Sequence, residues 1–190
     1  MSKEQALGSL LSPQASSLIA QIHTSPVMMV LVITGGGTQA LADLLVVPGA
    51  SRTLLEALVP YSAKSLVEFL GSPPTQAVSV ATAAALAQAA YRRAVLLREN
   101  ETIPLIGLSC TATLVTDRPK KGAHRAYIGL RTEKQTHVYT LTLQKGARDR
   151  QGEERTVSDL LLRICAEACN IKVIESFPLL PEERLTVEDV

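Results

Sequence analysis

The amino-acid sequence predicts an α/β fold, a layered α/β/α sandwich with a mixed sheet. The chain is 46% hydrophobic but only 3% aromatic and has no Trp, so Leu, Val, Ile and Ala must fill a core between regular elements. An apolar run at residues 27–33 stops at three glycines, and a helical pattern follows it. Residues 126–132 and 136–144 alternate like the two strands of a hairpin.

The length of 190 residues suits a single domain spanning 1–190. We expect its core at about residues 26–171, after an N-terminal helical segment, 3–22, that Ser12-Pro13 interrupts. The acidic, proline-punctuated tail, 172–190, is expected to wrap the surface or to lack order.

Periodicity and capping signals predict the elements between these ends. Thr38 is the expected N-cap of the helix that follows the glycines. The other expected elements are short helices at 52–60 and 63–71, an Ala-rich helix at 79–98, a strand at 103–115, a polar loop up to residue 125 and a helix at 158–171.

Charge and hydropathy exclude several classes of protein. Nineteen basic and eighteen acidic side chains give a net charge of +1, which provides no field to attract nucleic acid or an anionic membrane. The longest apolar run is far shorter than the roughly 20 residues of a spanning helix, and the N-terminus lacks the order of a signal peptide. We therefore expect a cytoplasmic, soluble protein that binds neither nucleic acid nor membranes.

The three cysteines, Cys110, Cys165 and Cys169, are expected to be reduced thiols. Cys165 and Cys169 lie one helical turn apart, which is typical of small apolar residues on a buried helix face. A metal site needs further ligands, and none stands near them in sequence. The sequence therefore predicts no metal site and no cofactor.

Two predicted strand ends, residues 34–38 and 109–125, should lie side by side at the carboxyl edge of the sheet, where α/β proteins bind ligands. Three glycines before a helix leave backbone N–H groups free to meet an anion, although a tight turn needs glycine as well. The second segment carries a basic cluster suited to phosphate, whose lysines also fit a solvated loop. Its members are Arg118, Lys120, Lys121, His124 and Arg125.

The motifs VVPGAS at 46–51, YSAKSLVEFLG at 61–71 and AVS at 77–79 follow the glycine turn in a characteristic order. This order resembles that of the C-terminal domain of the CinA family, the fold of nicotinamide mononucleotide deamidase, over about residues 26–171. The resemblance places the family's nucleophilic Ser at Thr34 and its Tyr at Tyr61. The catalytic Lys falls on Leu66, and Lys64 lies two positions earlier.

The family's Gly-Ile-Ala-Gly-Pro loop is replaced here by residues 107–125. This segment resembles CinA-like regions joined to nucleotidyltransferase domains, in which a Thr, an Arg-Pro and a His-Arg recur. The resemblance thus indicates a divergent subset in which the deamidase residues are exchanged for another polar set. It also implies a homodimer, and it leaves open a fused or separate nucleotidyltransferase as partner.

Two functions follow from these residues. One is an amidohydrolase that deamidates nicotinamide mononucleotide or a related nucleotide, with Thr34 as nucleophile and Lys64 or His124 as base. The other, which we prefer, is a degenerate domain that binds a nucleotide or a partner without catalysis. The candidate catalytic residues are Thr34, Tyr61, Lys64 and His124, and the candidate ligand-binding residues are Gly35, Gly36, Gly37, Thr38, Thr111, Arg118 and Arg125.

Overall fold

A computed structural model describes residues 11–118 and 121–190, so that residues 3–10 of the predicted N-terminal helix and Lys120 lie outside the described residues. The strands in this part of the chain are β1 (Met28–Thr34), β2 (Leu54–Leu58), β3 (Leu105–Thr113), β4 (His124–Arg131), β5 (Thr136–Leu143) and β6 (Arg184–Asp189). Its α-helices are α1 (Pro13–Thr24), α2 (Thr38–Val46), α3 (Ala63–Leu70), α4 (Val80–Leu97) and α5 (Arg150–Ala168).

The strands form one mixed sheet in the order β2-β1-β3-β4-β5-β6. β1 runs parallel to both of its neighbours, and the strands from β3 to β6 are antiparallel. Helices α3 and α4 pack with apolar side chains of one face, and α1, α2 and α5 cover the other face, where the larger core cluster lies. The predicted α/β/α sandwich with a mixed sheet is confirmed. No helix in the described ranges has the length and apolar character needed to span a membrane.

Helix α4 lies unusually close to the sheet, at two glycines. A Cβ atom at Gly107 of β3 would lie 2.2 Å from the carbonyl oxygen of Ala87 in α4. A Cβ atom at Gly129 of β4 would lie 2.5 Å from the carbonyl oxygen of Ala83. Because neither site has room for a methyl group, glycine on the strands and alanine on the helix together set the distance between the two layers.

Two buried hydroxyl groups on β3 also bond the N-terminal end of α4 and the loop before it. Ser109 Oγ donates to the carbonyl oxygen of Ala83 at 2.7 Å, and Thr111 Oγ1 donates to the carbonyl oxygen of Ala77 at 2.7 Å. Ala77 lies in the loop before α4, so both the loop and the first turn are bonded to the same strand. These bonds also satisfy polar side chains that would otherwise be buried without partners.

Three predictions of local structure are wrong. The helix expected at 52–60 is instead the edge strand β2, which pairs in parallel with β1, because a short apolar run takes the conformation that its neighbouring strand offers. The N-cap of α2 is Gly37 with a φ of 94°, and Thr38 is the first helical residue. Helix α5 begins at Arg150 rather than Ser158, because Asp149 caps it and accepts from the Gly152 N–H at 2.8 Å.

Of the two alternatives expected for the tail, wrapping the surface or lacking order, its end shows order, since it forms β6 along β5. The buried Glu183 carboxylate fixes the preceding turn by accepting from the N–H groups of Leu180 at 2.9 Å and Gln144 at 3.2 Å. The Arg148 guanidinium forms a bidentate ion pair with the same carboxylate. Burial opposes the ionised form, but Arg148 and the two N–H groups outweigh it and lower the pKa of Glu183.

We predict that Gly129→Ala lowers the free energy of unfolding by about 1–3 kcal/mol, because the new methyl group collides with the Ala83 carbonyl. The measurement is urea-induced unfolding. Gly122→Ala is the control, since a Cβ atom at Gly122 meets no atom within 4 Å. Equal stability of the two variants would contradict the close packing of α4.

We predict that Glu183→Gln destabilises the protein at neutral pH and that this effect disappears in acid. The folded-state pKa of Glu183 lies below its unfolded value of about 4.3, so the stabilisation is present above pH 4.3 and is lost as the pH falls through the folded-state pKa. The check is the difference in unfolding free energy between wild type and variant, measured from pH 7 to pH 3. A difference that stays constant with pH would contradict a paired, ionised Glu183.

Candidate functional site

The carboxyl ends of β1 and β3 lie side by side, as the sequence predicted. Thr34, the last residue of β1, pairs in register with Thr111 of β3. The chain then turns at Gly35 with a φ of 81°, and a Cβ atom there would lie 2.0 Å from the carbonyl oxygen of Ala112. Only glycine fits this position, because both the backbone conformation and the neighbouring carbonyl exclude a side chain.

Alternation along the strands divides the candidate residues between the two faces of the sheet. Thr111 bonds the loop before α4, so its register partner Thr34 also points to the α4 face. Arg125 pairs with Thr113, two residues beyond Thr111, and shares that face. His124, next to Arg125, points to the opposite face and bonds α5. The structure therefore separates Thr34 from His124 by the sheet itself.

On the α4 face, Thr34 is 8% exposed, and its hydroxyl group has no hydrogen-bond partner among the described residues. The Thr111 hydroxyl is fully buried and already donates to Ala77, so it holds the fold. Arg125 is exposed, and its Nη1 donates to the Tyr127 hydroxyl at 3.3 Å. Of these three predicted residues, Thr34 and Arg125 have groups available to a ligand.

On the α5 face, His124 and Glu153 form a buried pair. Glu153 is fully buried, and its Oε1 lies 2.6 Å from His124 Nδ1. Its Oε2 accepts from the Val115 N–H at 2.7 Å. The carboxylate thus binds the amino end of β4 to the chain that leaves β3. His124 is the first residue of β4 and 5% exposed, which corrects the prediction that it lies in a polar loop.

The glycine turn is closed by two further side chains of α5. Glu154 Oε1 accepts from the Thr38 hydroxyl at 3.0 Å and from the Gln39 N–H at 3.2 Å. Arg150 Nη2 donates to the carbonyl oxygen of Gly35 at 3.1 Å. The N-terminus of α2, where a helix favours an anion, therefore holds a carboxylate of the protein itself.

The remaining predicted residues lie on α3 and on the loops, and most of them are exposed. Tyr61 is 73% exposed in the turn before α3, and Lys64 is exposed in the first turn of that helix. Leu66, at the position of the family's catalytic lysine, is the buried residue of α3. Two helical positions amount to about 200° of rotation, so Lys64 points away from the side on which Leu66 is buried. Arg118 is exposed on the loop after β3.

Gly36 and Gly37 pack against the core on the α5 face. A Cβ atom at Gly36 would lie 2.6 Å from Leu114 Cδ1, and one at Gly37 would lie 3.3 Å from Cys110 Sγ. Burial raises the pKa of Cys110, and the Glu154 carboxylate acts in the same direction, so this thiol stays protonated. All three cysteines are free and buried, in agreement with the sequence.

Sequence reasoning missed Arg150, Glu153 and Glu154 because it started α5 too late. The signal was present: Asp149 is an N-cap residue, and Glu153 lies in the first turn, where acidic side chains favour the helix dipole. Recognising this start would have placed three charged side chains near the glycine turn.

We predict that Glu153→Ala lowers the free energy of unfolding by about 3 kcal/mol, because it leaves His124 and the Val115 N–H buried without their partner. The measurement is thermal and urea-induced unfolding. Glu154→Ala is the control, because its carboxylate accepts hydrogen bonds in a more exposed position and its loss costs less. Equal losses for the two variants would contradict a buried Glu153 pair.

The chain is similar in fold to solved structures of competence-damage proteins, whereas no known family profile and no curated protein sequence matches it. The competence/damage inducible protein CihA from Agrobacterium tumefaciens has 18% identity and a TM-score of 0.57, with 86% of this chain and 96% of that chain covered. A CinA superfamily protein from Escherichia coli has 15% identity and a TM-score of 0.57, with 83% of this chain and 91% of that chain covered. A CinA superfamily protein from Enterobacter cloacae has 14% identity and a TM-score of 0.60, with 88% of this chain and 98% of that chain covered. The chain therefore has the fold of these CinA superfamily proteins.

Proposed function

We propose that this CinA-like domain binds a small phosphate-bearing ligand of the mononucleotide class, without hydrolysing it, on the α4 face of the carboxyl edge. The observation that carries the proposal is that Thr34 and Arg125 share this face while His124 lies on the other. Arg125 supplies a planar guanidinium suited to phosphate, and the Thr34 hydroxyl supplies a short-range donor or acceptor.

The spacing of the two groups suits a ligand of this size. Arg125 lies two strands from Thr34 and two residues further along, which sets their Cα atoms about 12 Å apart at ordinary sheet spacings. A cleft of about 490 Å³ lies on the same side of the sheet, between the end of α3 and α4, and is lined by Gln76, Ser79 and Thr82, among others; Thr34 and Arg125 do not line it. Small-molecule sites commonly have about this volume, roughly 300–1,000 Å³.

The arrangement of the bases favours binding over hydrolysis. A threonine hydroxyl attacks an amide carbon only when a neighbouring base takes its proton, and that base must be within hydrogen-bond reach. His124 faces the other side of the sheet and is bonded to Glu153, and Lys64 is exposed on α3. The position of the family's lysine holds the apolar, buried Leu66.

The glycine turn contributes shape rather than anion binding in this proposal. Glu154 already accepts from Thr38 and from the Gln39 N–H, so a phosphate group would have to displace a carboxylate that is covalently part of the chain. The ligand is therefore held by side chains on the α4 face, and the backbone of residues 35–37 serves to end β1 and start α2.

The alternative function is an amidohydrolase that deamidates nicotinamide mononucleotide or a related nucleotide, with Thr34 as the nucleophile. The exposed Lys64 at the start of α3 favours it, because the resemblance places a catalytic lysine only two residues later. Under this alternative, the exposed Lys64 side chain would have to reach the Thr34 hydroxyl in the ligand complex.

We predict that nicotinamide mononucleotide binds with a dissociation constant that Arg125→Ala raises at least about tenfold, because one charge-assisted phosphate contact is lost. Isothermal titration calorimetry measures the binding, with Lys64→Ala as the control of equal charge change. Equal dissociation constants of nicotinamide mononucleotide for wild type and for Arg125→Ala would contradict this site.

An activity assay of wild type, Thr34→Ala and Lys64→Ala with nicotinamide mononucleotide distinguishes binding from catalysis. Mass spectrometry follows the one-unit mass gain of deamidation, and we expect no turnover by wild type or by Thr34→Ala. Turnover by wild type that Thr34→Ala and Lys64→Ala both abolish would establish the amidohydrolase instead.

A further inference from the structure

Strand β6 forms one edge of the six-stranded sheet, and no further strand of the described residues pairs with its outer side. Its pairing with β5 is continuous from Arg184 to Asp189. The ladder extends to Val190, whose N–H donates to the carbonyl oxygen of Thr136 at 3.0 Å. Edge strands that are protected from pairing with another chain commonly carry a proline or a bulge, and β6 has neither.

The direction of the backbone groups at the open edge follows from this ladder. In an antiparallel pair, every second residue directs both its N–H and its C=O group to the neighbouring strand. Because Val190 bonds β5, the even-numbered residues from 184 to 190 face β5. Leu185 and Val187 therefore direct their backbone groups away from the sheet, where these groups are open to a second strand.

The sequence of β6 is self-complementary about Thr186. Two copies of the strand can run antiparallel with Thr186 opposite its own counterpart. Leu185 then stands opposite Val187 of the second copy, and these residues, which carry the open backbone groups, form the hydrogen-bonded pairs. Arg184 stands opposite Glu188 of the second copy in the closer, non-hydrogen-bonded pairs, where opposite charges attract each other across the strands.

We propose that two copies of this chain associate through β6 and join their sheets edge to edge into one continuous sheet. A two-fold axis passes beside Thr186, so that each contact between Arg184 and Glu188 and each contact between Leu185 and Val187 occurs twice. The same register satisfies the hydrogen bonds of the backbone and the pairing of the charges.

The exposure of these side chains supports such an interface. Val187 is apolar but 57% exposed, and it shares a face of the sheet with Leu185, which packs against the larger core cluster. In the dimer, Val187 packs on Leu185 of the second copy and is removed from water. Arg184 and Glu188 are exposed, and neither forms a hydrogen bond or an ion pair within the part of the chain that the structure describes. Both charges are thus available to the second copy.

The opposite edge of the sheet lacks this complementarity. Strand β2 carries one charged residue, Glu56, and its carboxylate already forms an ion pair with Arg93 at 2.7 Å. Two copies of β2 therefore place no opposite charges against each other. At the end of β6, Asp189 is likewise paired within the chain, with His137, which leaves Arg184 and Glu188 as the charges that select the register.

The test is the mass of the purified full chain in sedimentation equilibrium. A contact between two single strands is small, so we expect a reversible change from the mass of one chain to that of two over about 1–500 μM protein. Arg184→Glu should raise the dissociation constant of the dimer at least about tenfold, because like charges then face each other twice. The double variant Arg184→Glu, Glu188→Arg restores opposite charges and should dimerise as wild type does. Lys64→Glu is the control, with the same charge change on the exposed side of α3.

A second variant tests the backbone bonds separately from the charges. Val187→Pro removes an N–H group that points away from β5, so it should keep β6 in place and abolish the dimer. Hydrogen exchange gives an independent measurement: the Val187 amide of wild type should become protected as the protein concentration rises, whereas the Thr186 amide, which faces β5, should be protected throughout. The proposal is overturned if wild type keeps the mass of one chain over the whole range. It is also overturned if wild type, Val187→Pro and Arg184→Glu dimerise equally.

Discussion

The close packing of α4 on the sheet determines the rest of the structure. Gly107 and Gly129 remove the side chains that would hold the helix away, and Ser109 bonds the helix directly to β3. This contact sets the distance between the sheet and the loop before α4. The loop in turn covers Thr111 and forms part of the wall of the cleft at residues 76–82. A shift of α4 by the size of one methyl group would alter every contact on that face of the carboxyl edge.

The first turn of α5 has the corresponding role on the other face. Glu153 and Glu154 are consecutive residues, yet they bond different parts of the chain: one carboxylate joins β3 to β4, and the other holds the start of α2. Arg150 completes this set at the glycine turn. The two faces of the carboxyl edge therefore differ. On the α5 face, side chains of α5 bond the polar groups, whereas the α4 face retains an exposed polar side chain at Arg125.

The sequence predicted the layers of this fold well and the local conformations less well. Long periodic segments such as α4 and buried runs such as β1 carry their own signal, because their apolar spacing matches one conformation only. The short segment 52–60 does not, and pairing with β1 decides its conformation. Similarly, β6 forms because Glu183 and Arg148, which are 35 positions apart, meet in the folded chain.

The candidate site shows the same division. The meeting of Thr34 with the end of β3 follows from two strands that end at one edge, and the sequence predicted it. Which face each side chain takes was not accessible, because a displacement by one residue along β4 exchanges Arg125 and His124 between the faces.

The Glu154 carboxylate at the start of α2 has a consequence for the competition between the chain and a free anion. A group attached to the chain competes at an effective concentration in the millimolar range or above, which free phosphate or a metabolite must exceed to take its place. The backbone around this position is that of a tight turn into a helix, with Gly37 in the left-handed conformation. The protein thus fills the anion position at the start of α2 with its own carboxylate, and a single change at position 154 would leave the Thr38 hydroxyl and the Gln39 N–H without this partner.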